Sequence, residues 1–267
     1  FRALKIVNIN YKDTTLGFTR VEDAFFINFP EELQKGKQYK IKVHYEGKPN
    51  LAKNPPWEGG FVVKKDKQGK PWTGVACEHL GASSWWPNKD HLSDEPDSMD
   101  MHFTVPSKLK CISNGKLVSI ETTNKKRSTF HWKVLNPINN YNVTFYVGDF
   151  IEIYDTIPET ENKKILKFYV LKPNKERAKA YFAQTKEVVA FYEKTFGEYP
   201  FWNDKMALVE SPYAGMEHQG AIAIGGDYGN HSDTRYFNEI YDYLIVHELA
   251  HEWWGTSVSV ADMADLL

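Results

Sequence analysis

From its start to about Leu171 the chain alternates apolar and polar side chains in steps of two, the pattern of a strand with one buried and one wet face. Tyr39, Ile41, Val43 and Tyr45 alternate with Lys40, Lys42, His44 and Glu46, and Met99, Met101, Phe103 and Val105 alternate with Asp100, His102 and Thr104. Phe130, Trp132 and Val134 do the same against Thr129, His131 and Lys133. A helix cannot gather such a stripe on one side, so this half is expected to form an antiparallel sandwich or curved sheet. Asn114-Gly115 supplies the positive backbone angles of a tight hairpin turn, and Asp66-Lys67-Gln68-Gly69 those of a looser one.

Beyond Pro173 the period changes. Ala178, Tyr181, Phe182, Thr185, Val188, Val189, Tyr192 and Phe196 recur at three- and four-residue steps, which predicts one amphipathic helix of about five turns, closed by Gly197 and followed by Pro200. The domain boundary is placed here, giving a β domain over 1–172 and a second domain over 173–267. In the second domain a short strand is expected at Met206-Ala207-Leu208-Val209. A glycine-bearing segment from Ala214 to Gly226 follows, with an apolar stretch at Ala221-Ile222-Ala223-Ile224. A last helix should be capped by Asp233 or Thr234 and run through Trp254 to Gly255.

With 267 residues, 42% hydrophobic and 15% aromatic, the chain has enough apolar surface to bury a core in each of two domains. A formal net charge of −2 without long blocks of one sign gives no reason to expect nucleic acid or a lipid surface as partner. Cys77 and Cys111 lie far apart and in no metal-binding pattern, which excludes a disulfide framework. No apolar run is long enough to span a bilayer. The opening Phe1-Arg2-Ala3-Leu4 resembles neither a signal peptide nor a natural start, and no cap closes the far end, so the stretch is expected to come from a longer protein.

The strongest chemical signal is His247-Glu248-Leu249-Ala250-His251, because it lies within a predicted helix. Histidines four apart share a helix face and can grip one ion, with Glu248 one residue round from them. Zinc held by two imidazoles and a carboxylate keeps a position for water, whose proton Glu248 would take and later pass to a departing amine. Two histidines four apart on a surface helix are the bland alternative. Tyr243, Leu244, Val246, Trp253 and Trp254 make the helix apolar, however, and burying two imidazoles and a carboxylate in it would be costly unless a metal compensated them.

Around this motif the chain resembles the aminopeptidase N and leukotriene hydrolase family of gluzincin metallopeptidases. That family carries a glycine-methionine-glutamate-asparagine stretch ahead of its zinc helix. Here Ala214-Gly215-Met216-Glu217-His218-Gln219-Gly220 is similar to it, with His218 standing in place of the asparagine. Ala76-Cys77-Glu78, Ser84-Trp85-Trp86-Pro87 and Asp94-Glu95-Pro96 resemble an earlier family segment, and Thr104-Val105-Pro106 and Ser113-Asn114-Gly115 resemble its sheet. The resemblance implies an α+β fold, with an amino-terminal antiparallel β-sandwich or saddle followed by the first part of a thermolysin-like catalytic domain. It implies zinc as cofactor, peptides as substrates, Glu217 and Glu78 as anchors for the substrate amine, and the Gly215-Met216 backbone as an edge strand that pairs with substrate. By the same resemblance the third ligand, a glutamate, falls just past Leu267, and Asp265 stands near it without being a ligand. Glu252 adjoins His251 and should point away from the shared face.

An amine anchor has a physical purpose, since a peptide's α-amine is largely cationic at neutral pH and its capture fixes the first peptide bond over the metal. Trp85 and Trp86 are expected to pack in the core or between domains. Two rival readings remain at this level: an endopeptidase or epoxide hydrolase on the same zinc site, and a non-catalytic peptide-binding domain.

Overall fold

The computed structural model describes residues 4–78, 81–157, 164–228 and 241–261. The chain opens with β1 (Leu4–Tyr11), β2 (Thr14–Thr15), β3 (Phe18–Val21), β4 (Ala24–Ile27) and β5 (Ile41–Gly47). β1 pairs antiparallel with β2 and β5, β3 pairs with β4, and a small core of Ile9, Tyr11 and Leu16 lies beneath them. The alternation read at Tyr39–Tyr45 is only half rewarded: Tyr39 and Val43 pack on that small core, whereas Ile41 and Tyr45 stay exposed.

β6 (Gly60–Lys65) and β7 (Pro71–Ala76) form the looser hairpin that was expected. Asp66 Oδ1 accepts from the amides of Gln68 and Lys70 at 2.8 Å each, and Gly69 takes the positive φ of 79° that the turn needs. Then come β8 (Met99–Pro106), β9 (Lys110–Ser113), β10 (Lys116–Asn124), β11 (Arg127–Val134) and β12 (Phe145–Gly148). The sheets β10-β11-β8 and β6-β7-β12-β9 share one core, in which Met101, Val105, Phe130 and Trp132 meet Val75, Cys111, Ile112 and Tyr146. Both cysteines are buried free thiols.

Asn114-Gly115 does turn the chain, with Gly115 at φ 72°, but it does not close a hairpin. β9 pairs with β12 and β10 with β11, so the turn carries the chain from one sheet to the other. Its dipeptide signature sets local backbone angles and says nothing about which strands will pair. Asn114 is buried at this corner, where its side chain accepts from Thr144 N (2.7 Å) and donates to the carbonyls of Asn142 (2.9 Å) and Gln219 (2.8 Å).

The remaining elements are β13 (Phe150–Ile157), β14 (Lys164–Leu171), α1 (Lys175–Phe182), α2 (Thr185–Phe196), β15 (Met206–Ser211), β16 (Gly215–Met216), β17 (Ile222–Gly225) and α3 (Tyr243–Ala250). They build a five-stranded sheet in the order β13-β14-β15-β17-β16, parallel from β14 to β17 and antiparallel at both ends. This sheet takes strands from both sides of 172/173, so the boundary expected there falls inside one hydrogen-bonded ladder. Period two showed that β13 and β14 are strands but could not show which sheet they join. Every residue of β15 is buried, as a strand covered on both faces requires. Leu208, Ile222 and Ile224 pack with α1, α2 and α3 on one face, whereas Ala207, Val209, Met216 and Ala223 join the core of the sandwich on the other.

The single long helix is interrupted at Ala183-Gln184, where both residues keep right-handed helical angles. Gln184 turns its amide to the Tyr181 carbonyl (2.8 Å) and accepts from Asp242 N (2.7 Å), tying the break to the start of α3. Gly197, at φ 98°, closes α2 as expected. α3 begins at an Asp242 cap whose Oδ1 accepts from Leu244 N at 2.9 Å, while the start expected at Asp233-Thr234 lies outside the described residues. It ends four residues earlier than Trp254, because the amides of Glu252 and Trp253 bond three residues back instead of four and tighten the last turn.

Candidate metal centre

α3 buries Leu244, Ile245, Glu248 and Leu249 against the sheet, which leaves the other side of the helix to its histidines. His247 is exposed and His251 half-buried, so of the three polar groups in the motif Glu248 alone bears the full burial that the apolar sequence implied. The two imidazoles present their Nε2 atoms to each other at 3.2 Å, with ring planes at 88°. His251 Nδ1 lies 3.0 Å from the Trp254 carbonyl, which can only accept, so that nitrogen carries the proton and Nε2 keeps its lone pair. His247 Nδ1 lies 3.2 Å from the Tyr243 hydroxyl, and the two rings stack. Partial desolvation by the surrounding protein, despite the ring's exposed surface, and the neighbouring His251 lower the pKa of His247, against a smaller opposing pull from Glu217, and this favours the neutral, ligating form.

Two convergent imidazole nitrogens, each ring steadied through its other nitrogen, make a donor set that suits a divalent transition metal. Glu248 supports the same conclusion. Its Oε2 is buried without a hydrogen-bond partner among the described residues, and its pKa is raised well above the carboxylate range by burial first, then by Glu217 and Glu78. Gly215 makes the close approach possible, since a Cβ there would collide with Glu248 Oε1 and stand 2.6 Å from Leu244 Cδ1.

Glu217 follows β16, is buried, and accepts from the Tyr141 hydroxyl at 3.2 Å. Glu78 lies half-buried just beyond β7. The structure therefore brings Glu217, Glu78 and Glu248 into one electrostatic neighbourhood with His247. Gly215 and Met216 form the outermost strand of the sheet, paired with Ile224 and Ala223. Trp85 packs on Phe61 and Phe145 against the sandwich core, in keeping with a packing role.

Several residues around the site carry no motif of their own. Tyr141, Asn142 and Asn114 hold the Glu217–Gly220 loop from the sandwich, Asn142 by accepting from Gln219 N at 2.7 Å. The run Asn139-Asn140-Tyr141-Asn142, fully buried, is the sequence trace that could have drawn notice to them. His218 is buried and its pKa is pushed down to about 3 by that burial. Its Nδ1 donates to the Tyr146 hydroxyl (2.9 Å), which in turn donates to the Ala221 carbonyl (2.9 Å). Glu252 faces away from the imidazoles, as expected, toward Tyr199 and Gly220. Asp265 and any third ligand lie outside the described residues, among which no group of three or more His, Cys, Asp or Glu side chains could hold a metal.

α3 thus offers two convergent imidazoles and a buried carboxylate beside an edge strand. By sequence the chain is similar to aminopeptidases, and its fold is like that of an M1 zinc metallopeptidase of known structure. It is 24% identical to Aminopeptidase 2 of Candida albicans over 92% of this chain and 26% of the relative, and 29% identical to glutamyl aminopeptidase of Rattus norvegicus over 85% and 24%. A shorter likeness, 25% identical over 67% of this chain and 14% of the relative, is to transcription initiation factor TFIID subunit 2 of Drosophila melanogaster. The structure of an M1 zinc metallopeptidase from Deinococcus radiodurans superposes with a TM-score of 0.77 at 18% identity, over 98% of this chain and 57% of that one. The chain thus spans about a quarter of the two aminopeptidases. No family model matches it.

Proposed function

We propose that this chain carries the metal-binding helix and the amine anchor of a zinc aminopeptidase, which removes amino-terminal residues from peptides. The observation behind the proposal is the Glu248 carboxyl, buried with an unpartnered oxygen, on the same helix as two imidazoles whose Nε2 atoms face each other at 3.2 Å. His247 and His251 would hold zinc through Nε2, and the remaining protein ligand would come from beyond Leu267. No third ligand joins the two histidines among the described residues, and a site of two protein ligands should bind zinc weakly. Bound zinc would supply Lewis acidity, bringing a water's pKa to about 7 and polarising the scissile carbonyl.

The chain's own residues do the rest. Glu248, whose proton affinity is raised by its surroundings, takes the water's proton and delivers it to the leaving amine. Glu217 and Glu78 receive the substrate's α-ammonium, and the Gly215–Met216 edge aligns the extended backbone. With the amine fixed, only the first peptide bond reaches the metal. Residues after that bond would run toward a cavity of about 260 Å³ bordered by Trp72, Tyr213, Ala214 and Gly225, where β16 begins.

The test uses the full-length protein with a leucyl anilide and its N-acetyl counterpart, with and without a chelator. Cleavage of the free-amine substrate alone, abolished by chelation and restored by zinc, is the expected result. Equal cleavage of both substrates would select an endopeptidase, and cleavage indifferent to chelation would overturn the metal assignment. A second reading, a peptide-binding domain without turnover, draws on the likeness to an initiation-factor subunit. Retained peptide binding in a zinc-loaded protein that hydrolyses neither substrate would select it.

A further inference from the structure

Glu252 adjoins the second histidine of the motif, yet its side chain belongs to the other half of the site. It is fully buried; one oxygen accepts from Gly220 N at 2.8 Å and the other from the Tyr199 hydroxyl at 2.6 Å. Gly220 ends the loop that begins at Glu217, and it sits at φ 61° with its Cα so close to the Lys205 carbonyl that an added Cβ would stand 2.7 Å from that oxygen. The Tyr199 hydroxyl also lies 3.2 Å from the Lys205 carbonyl, so Tyr199, Glu252 and Gly220 form a closed link. On its far side the loop is fastened to the sandwich, through Tyr141 to Glu217, Asn142 to Gln219 N, and Asn114 to the Gln219 carbonyl. The loop is therefore stretched between two bodies, with Glu252 as its tie to the segment that carries His251.

We propose that Glu252 is a positioning residue that sets the separation between the metal-binding imidazoles and the amine anchor Glu217, and thereby the single-residue length of what is cleaved. This rests on the aminopeptidase reading. A peptide anchored by its amine places its carbonyl over the metal only if that separation is held, and errors of about 1 Å in such placement cost on the order of 100-fold in rate. Glutamine at 252 would keep the link, its carbonyl accepting from Gly220 N and its amide donating to Tyr199, whose hydroxyl then turns to the Lys205 carbonyl. Leucine, of similar size, would remove both acceptors, leaving the buried Gly220 N–H unpaired and the Tyr199 hydroxyl with the Lys205 carbonyl alone.

The experiment measures, by calorimetry on the full-length zinc-loaded protein, the binding of two probes that reach the metal alike. Leucine hydroxamate carries a free amine and acetohydroxamate does not. Glu252→Leu should weaken leucine hydroxamate about tenfold, or ~1.4 kcal/mol, and leave acetohydroxamate within about twofold, whereas Glu252→Gln should bind both as the parent does. Equal weakening of both probes would mark Glu252 as merely structural, and no change in either would remove its role; both results overturn the proposal. Should the leucine variant not fold, Tyr199→Phe cuts half of the link and should weaken only the amine-bearing probe, by about two- to threefold. An indiscriminate effect or none there also overturns it. If the parent protein itself holds the two probes equally, the amine-anchor reading has failed instead. Amide exchange at Gly220 then decides the link, expected to be faster in Tyr199→Phe than in Glu252→Gln, with equal exchange refuting it.

Discussion

On one side of the site His247 and His251 stand out from α3, each steadied by a single oxygen; on the other the Glu217–Gly220 loop is buried and bonded from two bodies at once. The metal face is a local product of one helix, needing only a four-residue spacing and a cap at Asp242. The amine face is long-range, since Tyr141, Asn142 and Asn114 reach it from the sandwich. The difference teaches that chemistry and register have separate structural origins here. An isolated helix could offer the imidazoles, but only the assembled fold can place Glu217.

Four substitutions test this contrast. Glu248→Gln should have the largest effect, cutting kcat of the full-length enzyme by about 10²–10⁴ while zinc content stays unchanged, as turnover and metal analysis would show. Asn114→Ala, far from the metal, should destabilise the fold by about 2–4 kcal/mol in urea denaturation, because it leaves a buried amide and two carbonyls unpaired.

His218 should make the amine side sensitive to acid. Its folded pKa, pushed down to about 3, lies below the ordinary 6.5, so between those values the unfolded chain binds a proton that the folded chain refuses. Stability present above about pH 6.5 is therefore lost as pH falls toward 3, and His218→Gln should recover on the order of 2 kcal/mol of it at pH 4.5, read from urea midpoints at pH 4.5 and 7. The smallest effect should come from His247→Ala, which ought to change stability of the metal-free chain by no more than about 0.5 kcal/mol, since the ring is exposed. A loss of several kcal/mol there would erase the distinction between the two sides.

The shared placement of His247, Glu248 and His251 was legible in the sequence because their spacing lies within α3 and its cap. The strand content was legible for a similar reason: Met101, Phe130 and Trp132 fell on the buried side that period two predicted. Partner choice was not. Asn114-Gly115 gave the right backbone angle and the wrong neighbour, and β13 and β14 were recognised as strands without a sign that β14 pairs with β15. The link from Glu252 to Gly220 escaped for the same cause, since a hydrogen bond across 32 positions leaves no periodic trace. His251 and Glu252 are adjacent in sequence, yet only coordinates reveal that Glu252 reaches Gly220 and Tyr199.

The ladder that crosses 172/173 also dictates how this polypeptide can be dissected in the laboratory. Scissors placed after Lys172 would strip β15 of the neighbour to which Met206–Val209 are bonded, baring a strand that is buried along its whole length. Such an edge invites pairing between molecules, and the shortened product should precipitate before it could be assayed. Cutting ahead of Phe150 spares all five strands but exposes Phe150, Tyr169 and Leu171, which the sandwich now covers. The portion from Phe150 onward, to stay soluble on its own, would need a substitute for that cover.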